Sequence, residues 1–124
     1  MSIVCAQSPI GQWKKISHTV QFGAKKMDTH AALVVQRPCV EKIIYEINAD
    51  GTFRLNASKS GCDASYSSMQ EKLYSKTKWK LEGSTLTTSA TDFALGQTYT
   101  ISFSGNKMTW TGNDDLGVII YQKI

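Results

Sequence analysis

Thr98-Tyr99-Thr100-Ile101-Ser102-Phe103-Ser104-Gly105-Asn106-Lys107-Met108-Thr109-Trp110-Thr111 is the stretch on which the fold of this chain turns. Tyr99, Ile101 and Phe103 fall on one side of a period of two, and Thr98, Thr100 and Ser102 on the other. Strict alternation of this kind belongs to a half-buried β-strand and not to a helix, whose apolar residues recur every three or four positions. Ser104-Gly105-Asn106 then turns the chain, and the pattern resumes with Met108 and Trp110 apolar against Lys107, Thr109 and Thr111.

The same pattern extends in both directions. Toward the C-terminus, Asn113-Asp114-Asp115 is a turn, and the residues from Gly117 to Ile124 form a last strand whose inward face is assigned to Val118 and Ile120. Toward the N-terminus, Trp79 and Leu81 alternate with Lys78, Lys80 and Glu82, and Gly83-Ser84 leads into a threonine-rich strand around Leu86. Before these, Ile43, Tyr45 and Ile47 alternate, then Phe53 and Leu55, and Trp13 with Ile16 marks a first strand. Eight strands result, joined mostly by hairpin-length connections. Two connections are longer: 18–37 and 63–75 are each expected to hold a short helical turn, the first capped by Asp28 and the second around Met69 to Leu73.

One hairpin is specific enough to give a register. Asn48-Ala49-Asp50-Gly51-Thr52 reads as a type I turn followed by Gly51 in the left-handed region. That turn sets Ile47 opposite Phe53, Tyr45 opposite Leu55 and Ile43 opposite Ala57, with the apolar residues sharing a face. A two-residue loop would instead set Glu46 opposite Leu55. Extending the favoured register brings Cys39 beside Gly61, one residue from Cys62, where a disulfide is predicted.

The third cysteine, Cys5, lies in Val4-Cys5-Ala6, a sequence suited to signal-peptidase cleavage before Gln7. Residues 1–6 are therefore expected to be the remnant of an export signal and 7–124 the folded domain. Two paired cysteines then fit an oxidising compartment. The chain has 124 residues, the size of one domain, and no apolar run long enough to span a bilayer. Its net charge of +4 comes from scattered lysines with only two arginines, Arg37 and Arg54. That distribution argues against a nucleic-acid partner.

Eight short strands, each with one apolar face, hide that face and lose their edges by closing on themselves. The expected fold is all-β: an eight-stranded up-and-down antiparallel barrel of calycin type. Gly11-Gln12-Trp13 resembles the G-x-W signature of lipocalins, in which the tryptophan caps the closed end of the barrel. Together with Cys39, Tyr45 through Phe53, Cys62, Trp79-Lys80-Leu81, Thr98 through Ile101 and Met108-Thr109-Trp110, it is similar to small lipocalin-like domains exported by Bacteroidetes-type bacteria. The resemblance implies the barrel and the capping role of Trp13. Lys123 is the sole basic counterpart of the arginine that covers this tryptophan in true lipocalins, and Thr91-Asp92-Phe93 echoes their T-D-Y motif in a different loop.

The sequence holds no catalytic signature, and its two histidines, His18 and His30, have no metal-ligand spacing. No enzyme activity, metal or cofactor is expected. The expected function is to bind or carry a small hydrophobic ligand in the barrel interior, lined by Tyr45, Phe53, Leu55, Trp79, Tyr99, Ile101, Phe103, Met108, Trp110 and Ile120, with the 18–37 and 63–75 segments at the mouth. The chain is expected to act as a monomer, in the periplasm, on the outer surface or outside a Gram-negative cell. The alternative is an envelope interaction module with a filled barrel, meeting a protein or glycan through its loops.

Overall fold

The computed structural model describes residues 8–124, so the expected signal remnant at 1–6 lies outside the described residues. In chain order the elements are β1 (Gly11–Phe22), β2 (Lys25–Asp28), α1 (Thr29–Gln36), a 3-10 turn at Pro38–Lys42, β3 (Ile44–Ile47), β4 (Phe53–Asn56), α2 (Ala64–Leu73), β5 (Lys78–Glu82), β6 (Thr85–Ser89), a second 3-10 turn at Phe93–Leu95, β7 (Gln97–Ser104), β8 (Lys107–Thr111) and β9 (Val118–Lys123).

The expected up-and-down barrel is present. Eight strands follow one another in the order β4-β3-β1-β9-β8-β7-β6-β5, every neighbouring pair antiparallel, and β2 lies off this path beside β1. The circle is nearly closed where β4 meets β5. There Thr52 bridges Lys78, the Phe53 N–H donates to the Thr77 carbonyl at 3.0 Å, and the Trp79 N–H to that of Gly51 at 2.9 Å. Where the ladder gives out, the Arg54 guanidinium takes over as donor to the carbonyls of Thr77 at 2.8 Å and Tyr74 at 3.3 Å. Carbonyls on this seam therefore keep partners without a full strand ladder.

The β3–β4 hairpin has the register read from its turn. Tyr45 faces Leu55 and Ile47 faces Phe53. Gly51 sits at φ +89, and the Asn48 N–H donates to the Thr52 carbonyl at 2.9 Å. Only glycine takes this backbone conformation without strain. Beyond the hairpin, the Cys39–Cys62 disulfide forms, with Cα atoms 5.2 Å apart.

Three expectations are corrected. First, the inward face of β9 belongs to Ile119 and Tyr121, both buried, and Val118 and Ile120 are only half-buried. Val118-Ile119-Ile120 is apolar throughout and has no alternation of its own. Its neighbour decides the phase: Trp110 pairs with Ile119 and Met108 with Tyr121, and directly paired residues share a face.

Second, the segment from His18 onward is not simply a connection with a helical turn. β1 continues to Phe22 and returns as β2, with Val20 opposite Met27, before α1 begins. The strand was hidden because its register shifts between Lys15 and Ser17, so that Trp13, Lys15 and then His18 share the face of Tyr45, Tyr121 and Ile119. A bulge breaks the period of two on which strands are recognised. Third, α2 is a full ten-residue helix rather than one turn. The helix caps are of the expected kind. Asp28 accepts from the Ala31 N–H at 3.0 Å, and Asp63 from the Tyr66 N–H at 2.8 Å.

The two ends of the barrel differ. At the end where β1 starts, connections are tight turns, and Trp13 is buried with its indole N–H donating to the Pro9 carbonyl at 2.8 Å. Lys123, standing where the family's covering arginine is missing, lies over its ring at 4.9 Å and donates to the Ile10 carbonyl at 3.0 Å. A Cβ on Gly11, which has φ +145, would collide with that ammonium. The opposite end carries the longer segments, α1 and α2 among them.

Candidate ligand-binding site

Both helices are held across the open end from one corner. The Cys39–Cys62 bridge joins the chain after α1 to the chain before α2. Beside it, Arg37 Nη1 lies 2.9 Å from Asp63 Oδ2, and the guanidinium stacks 3.9 Å above the Tyr66 ring. Tyr66, Gln70 and Tyr74 follow one another at intervals of four, which places them on a single stripe of α2 and its C-cap. His30 and Leu33 share a face of α1 in the same way.

These two stripes and the top of β1 and β3 enclose a recess of about 340 Å³, lined among others by His30, Leu33, Tyr45, Tyr66, Gln70 and Tyr74. A second recess of about 260 Å³ enters the barrel itself, between Phe53, Thr88, Tyr99, Trp110, Ile119 and Tyr121. Lys15, His18 and Tyr74 line both. Together they reach the size range of small-ligand sites. Below them the barrel is filled: Ile47, Leu86 and Met108 are fully buried.

The ten residues expected to face a ligand are thus divided. Tyr45, Phe53, Tyr99 and Trp110 line the recesses. Leu55, Ile101 and Met108 are buried in the packed core instead. Phe103 packs on that core half-buried, and Trp79 spends its indole N–H on the Asn48 carbonyl at 2.9 Å, holding the β3–β4 turn. Ile120 points away from the interior, on the opposite face from Ile119 and Tyr121. Within the 18–37 segment expected at the mouth, Leu33 lines the larger recess, whereas Phe22 and Met27 are exposed on the β1–β2 hairpin.

Sequence reasoning missed the polar part of the lining: Lys15, His18, His30 and the Tyr66-Gln70-Tyr74 stripe. Two signals for them were available. Alternation from Trp13 turns Lys15 inward, and spacing by four aligns the α2 residues. His18 had no such signal, because it depends on the bulge.

The aromatic rings form a continuous cluster. Tyr45 and Tyr121 meet edge-on at 5.5 Å, Trp110 and Tyr121 at 5.1 Å, and Tyr74 reaches Phe53 at 5.5 Å. Burial raises the Tyr45, Tyr74 and Tyr121 hydroxyls above the ordinary tyrosine range and pushes Tyr99 up to about 12, so all four are neutral near pH 7. His18 Nε2 lies 2.8 Å from the Leu116 carbonyl. Burial lowers the pKa of both histidines, and the charge of Lys15 adds to this. Burial opposes ionisation of Asp28, but backbone N–H groups of Ala31 and His18 outweigh it and hold its carboxyl below the usual range.

Lys15 is a half-buried charged group in the wall of both recesses. Its ammonium lies 5.0 Å from the centroid of the Tyr45 ring, and burial brings its pKa down to about 8. Below about pH 8 the fold therefore bears in full the cost of a partly desolvated ammonium. From about 8 to 10.5 the unfolded chain binds more protons than the folded one, and stability rises with pH. Urea unfolding at pH 7 and pH 9.5 should show this rise in wild type and not in Lys15→Met. A rise of equal size in both proteins would assign it to another group.

No helix among the described residues is long and apolar enough to cross a membrane. No curated protein and no solved structure matches the sequence. The family model of the lipocalin-like domain does match it, over residues 10–110, from the first turn before Trp13 to the tryptophan inside the barrel. By fold and by sequence alike, this chain belongs to the lipocalin-like domain family.

Proposed function

We propose that the chain is an exported, non-catalytic protein that holds a small hydrophobic ligand in the open half of its barrel. The observation that carries this reading is the aromatic recess of about 260 Å³ between Phe53, Tyr99, Trp110 and Tyr121, continuous in its lining with the space under α1 and α2. Packing interiors rarely leave such room without use. The Cys39–Cys62 bridge, joined to the mouth by Arg37 and Asp63, supports an oxidising compartment, whether periplasm, outer surface or medium.

Native mass spectrometry of the purified protein is the test. We expect a small apolar adduct that is released on unfolding, and its loss in Thr88→Trp, which fills the recess from β6. A wild-type chain that carries no adduct and gives no tryptophan fluorescence change with decan-1-ol would overturn the reading. Function would then pass to the loops of a protein whose interior is merely packed.

A further inference from the structure

β1 and β2 extend beyond the barrel as a two-stranded ribbon. The last partner of β1 on β9 is Val118, opposite Thr19, and from Val20 to Phe22 the strand pairs with β2 alone. In this register Val20 faces Met27 and Phe22 faces Lys25, so these four share one face, and Gln21 with Lys26 holds the other. Phe22 and Met27 are more than half exposed. A two-stranded ribbon has no further sheet behind which to hide such residues, and in water it is marginal.

A second patch of the same composition lies on α2. Met69 and Leu73, one turn apart and each more than half exposed, line an outward recess of about 430 Å³ with Lys72, Lys76 and Ala90. Leu95, in the connection from β6 to β7, is more exposed still. By the up-and-down order of the strands, all three segments belong to the open end. Among the described residues only Val35 and Ile124 are large apolar side chains of comparable exposure.

Single apolar residues on a surface are ordinary, but here they collect at one end, each pair with two lysines beside it. Lys25, Lys26, Lys72 and Lys76 form no ion pair; the pairs among the described residues are Arg37–Asp63 and Lys80–Glu82. The carboxylates of this end are engaged or stand apart. Asp28, Asp63 and Asp92 accept from backbone N–H groups of the two helices and the second 3-10 turn, and Glu71 from that of Ala57. Asp114 and Asp115 stand in the β8–β9 turn, which bears no exposed large apolar residue; Asp114 borders a groove that Lys26 also lines, without pairing with it. Lysine is depleted in protein interfaces. Lysines around exposed apolar side chains instead suit an anionic bilayer, where the apolar groups enter the acyl boundary and the ammonium groups reach back to the lipid phosphates.

We propose that the open end of the barrel docks on an anionic membrane surface, with Phe22 and Met27 of the hairpin and Met69 and Leu73 of α2 entering the interface, each pair beside its two lysines. Docking in this way turns the mouth toward the bilayer. It requires no ligand in the barrel.

Co-sedimentation of the full chain with vesicles of phosphatidylcholine, and of phosphatidylcholine carrying about one-third phosphatidylglycerol, is the test. Wild type should bind the anionic vesicles at least about tenfold more tightly, and less so as salt is raised. Lys25→Gln/Lys26→Gln should weaken that binding about tenfold or more, since each lysine near such a surface contributes about fivefold. Lys14→Gln/Lys107→Gln removes the same charge from beside Gln122, toward the closed end, and should bind as wild type does. Phe22→Ser/Met27→Ser should also weaken binding about tenfold or more. All six side chains are exposed, and unchanged circular dichroism verifies that each variant is folded. Equal binding of both vesicle types, or binding that the hairpin variants leave unchanged, would overturn the proposal. An equal loss in Lys14→Gln/Lys107→Gln would reduce the effect to net charge and overturn docking by this end. A wild-type chain that stays in the supernatant with both vesicles would overturn it too, passing this face to a protein partner and leaving the ligand reading of the interior as it stands.

Discussion

Trp13→Ala should lower the free energy of unfolding by about 4 kcal/mol, the range measured for deletion of a buried tryptophan. The residue is 3% exposed and sits where β1, β3 and β9 meet, paired with Tyr45 on one side and Lys123 on the other. Truncation leaves a cavity, leaves the Pro9 carbonyl without its donor and takes away the ring beneath Lys123. For a domain of this length such a loss corresponds to a fall in Tm of about 15 °C. Trp13→Phe keeps a ring for the ammonium and for the core, and should cost about half as much. Urea denaturation of both variants decides the matter. A loss below about 1 kcal/mol in Trp13→Ala would mean that the closed end is held by something other than this side chain.

Removing the disulfide as Cys39→Ala/Cys62→Ala should cost roughly 3 kcal/mol on chain-entropy grounds, because the bridge closes a loop with a sequence separation of 23. The effect should not be confined to stability. The bridge joins the chain after α1 to the chain before α2, beside the exposed Arg37–Asp63 pair and the stacking of Arg37 on Tyr66, and α2 is further tied to the barrel by the Ala57 N–H donating to Glu71 at 2.9 Å. Hydrogen exchange in α2 should therefore quicken more than in β7 and β8, whose ladder does not involve the bridge. Uniform loss of protection across the barrel would indicate that the bridge acts on the whole fold and not on the mouth. Mass spectrometry after alkylation, with and without reduction, verifies the bond itself, and equal masses would exclude it.

How much of this was legible beforehand varies from strand to strand. β7 and β8 alternate without interruption, so their pairing, their faces and Trp110 as an interior residue were readable residue by residue. The β3–β4 register was readable because one turn geometry sets it, and the turn geometry follows from a glycine with positive φ. The disulfide followed from that register. β9 was readable as a strand but not in its phase, because a run of three apolar residues satisfies either face.

The interior polar residues were the least legible. Lys15 belongs by hydropathy to the outside of any strand, and it lies inside because Trp13, two residues earlier, fixes the face. His18 and the rest of β1 depended on a bulge, and the division of the ten expected lining residues into recess and core depended on where α1 and α2 come to rest.

By itself, the sequence determined the β class, the hairpin order, one register and the cysteine pair. These rest on contacts between chain neighbours or between adjoining strands, where spacing alone sets who meets whom. Tertiary structure alone decided which half of the barrel is filled, which face β9 turns inward, and that Lys15 lines the recesses of the open half. Those outcomes depend on distant segments competing for the same volume, and no periodicity along the chain records such a competition.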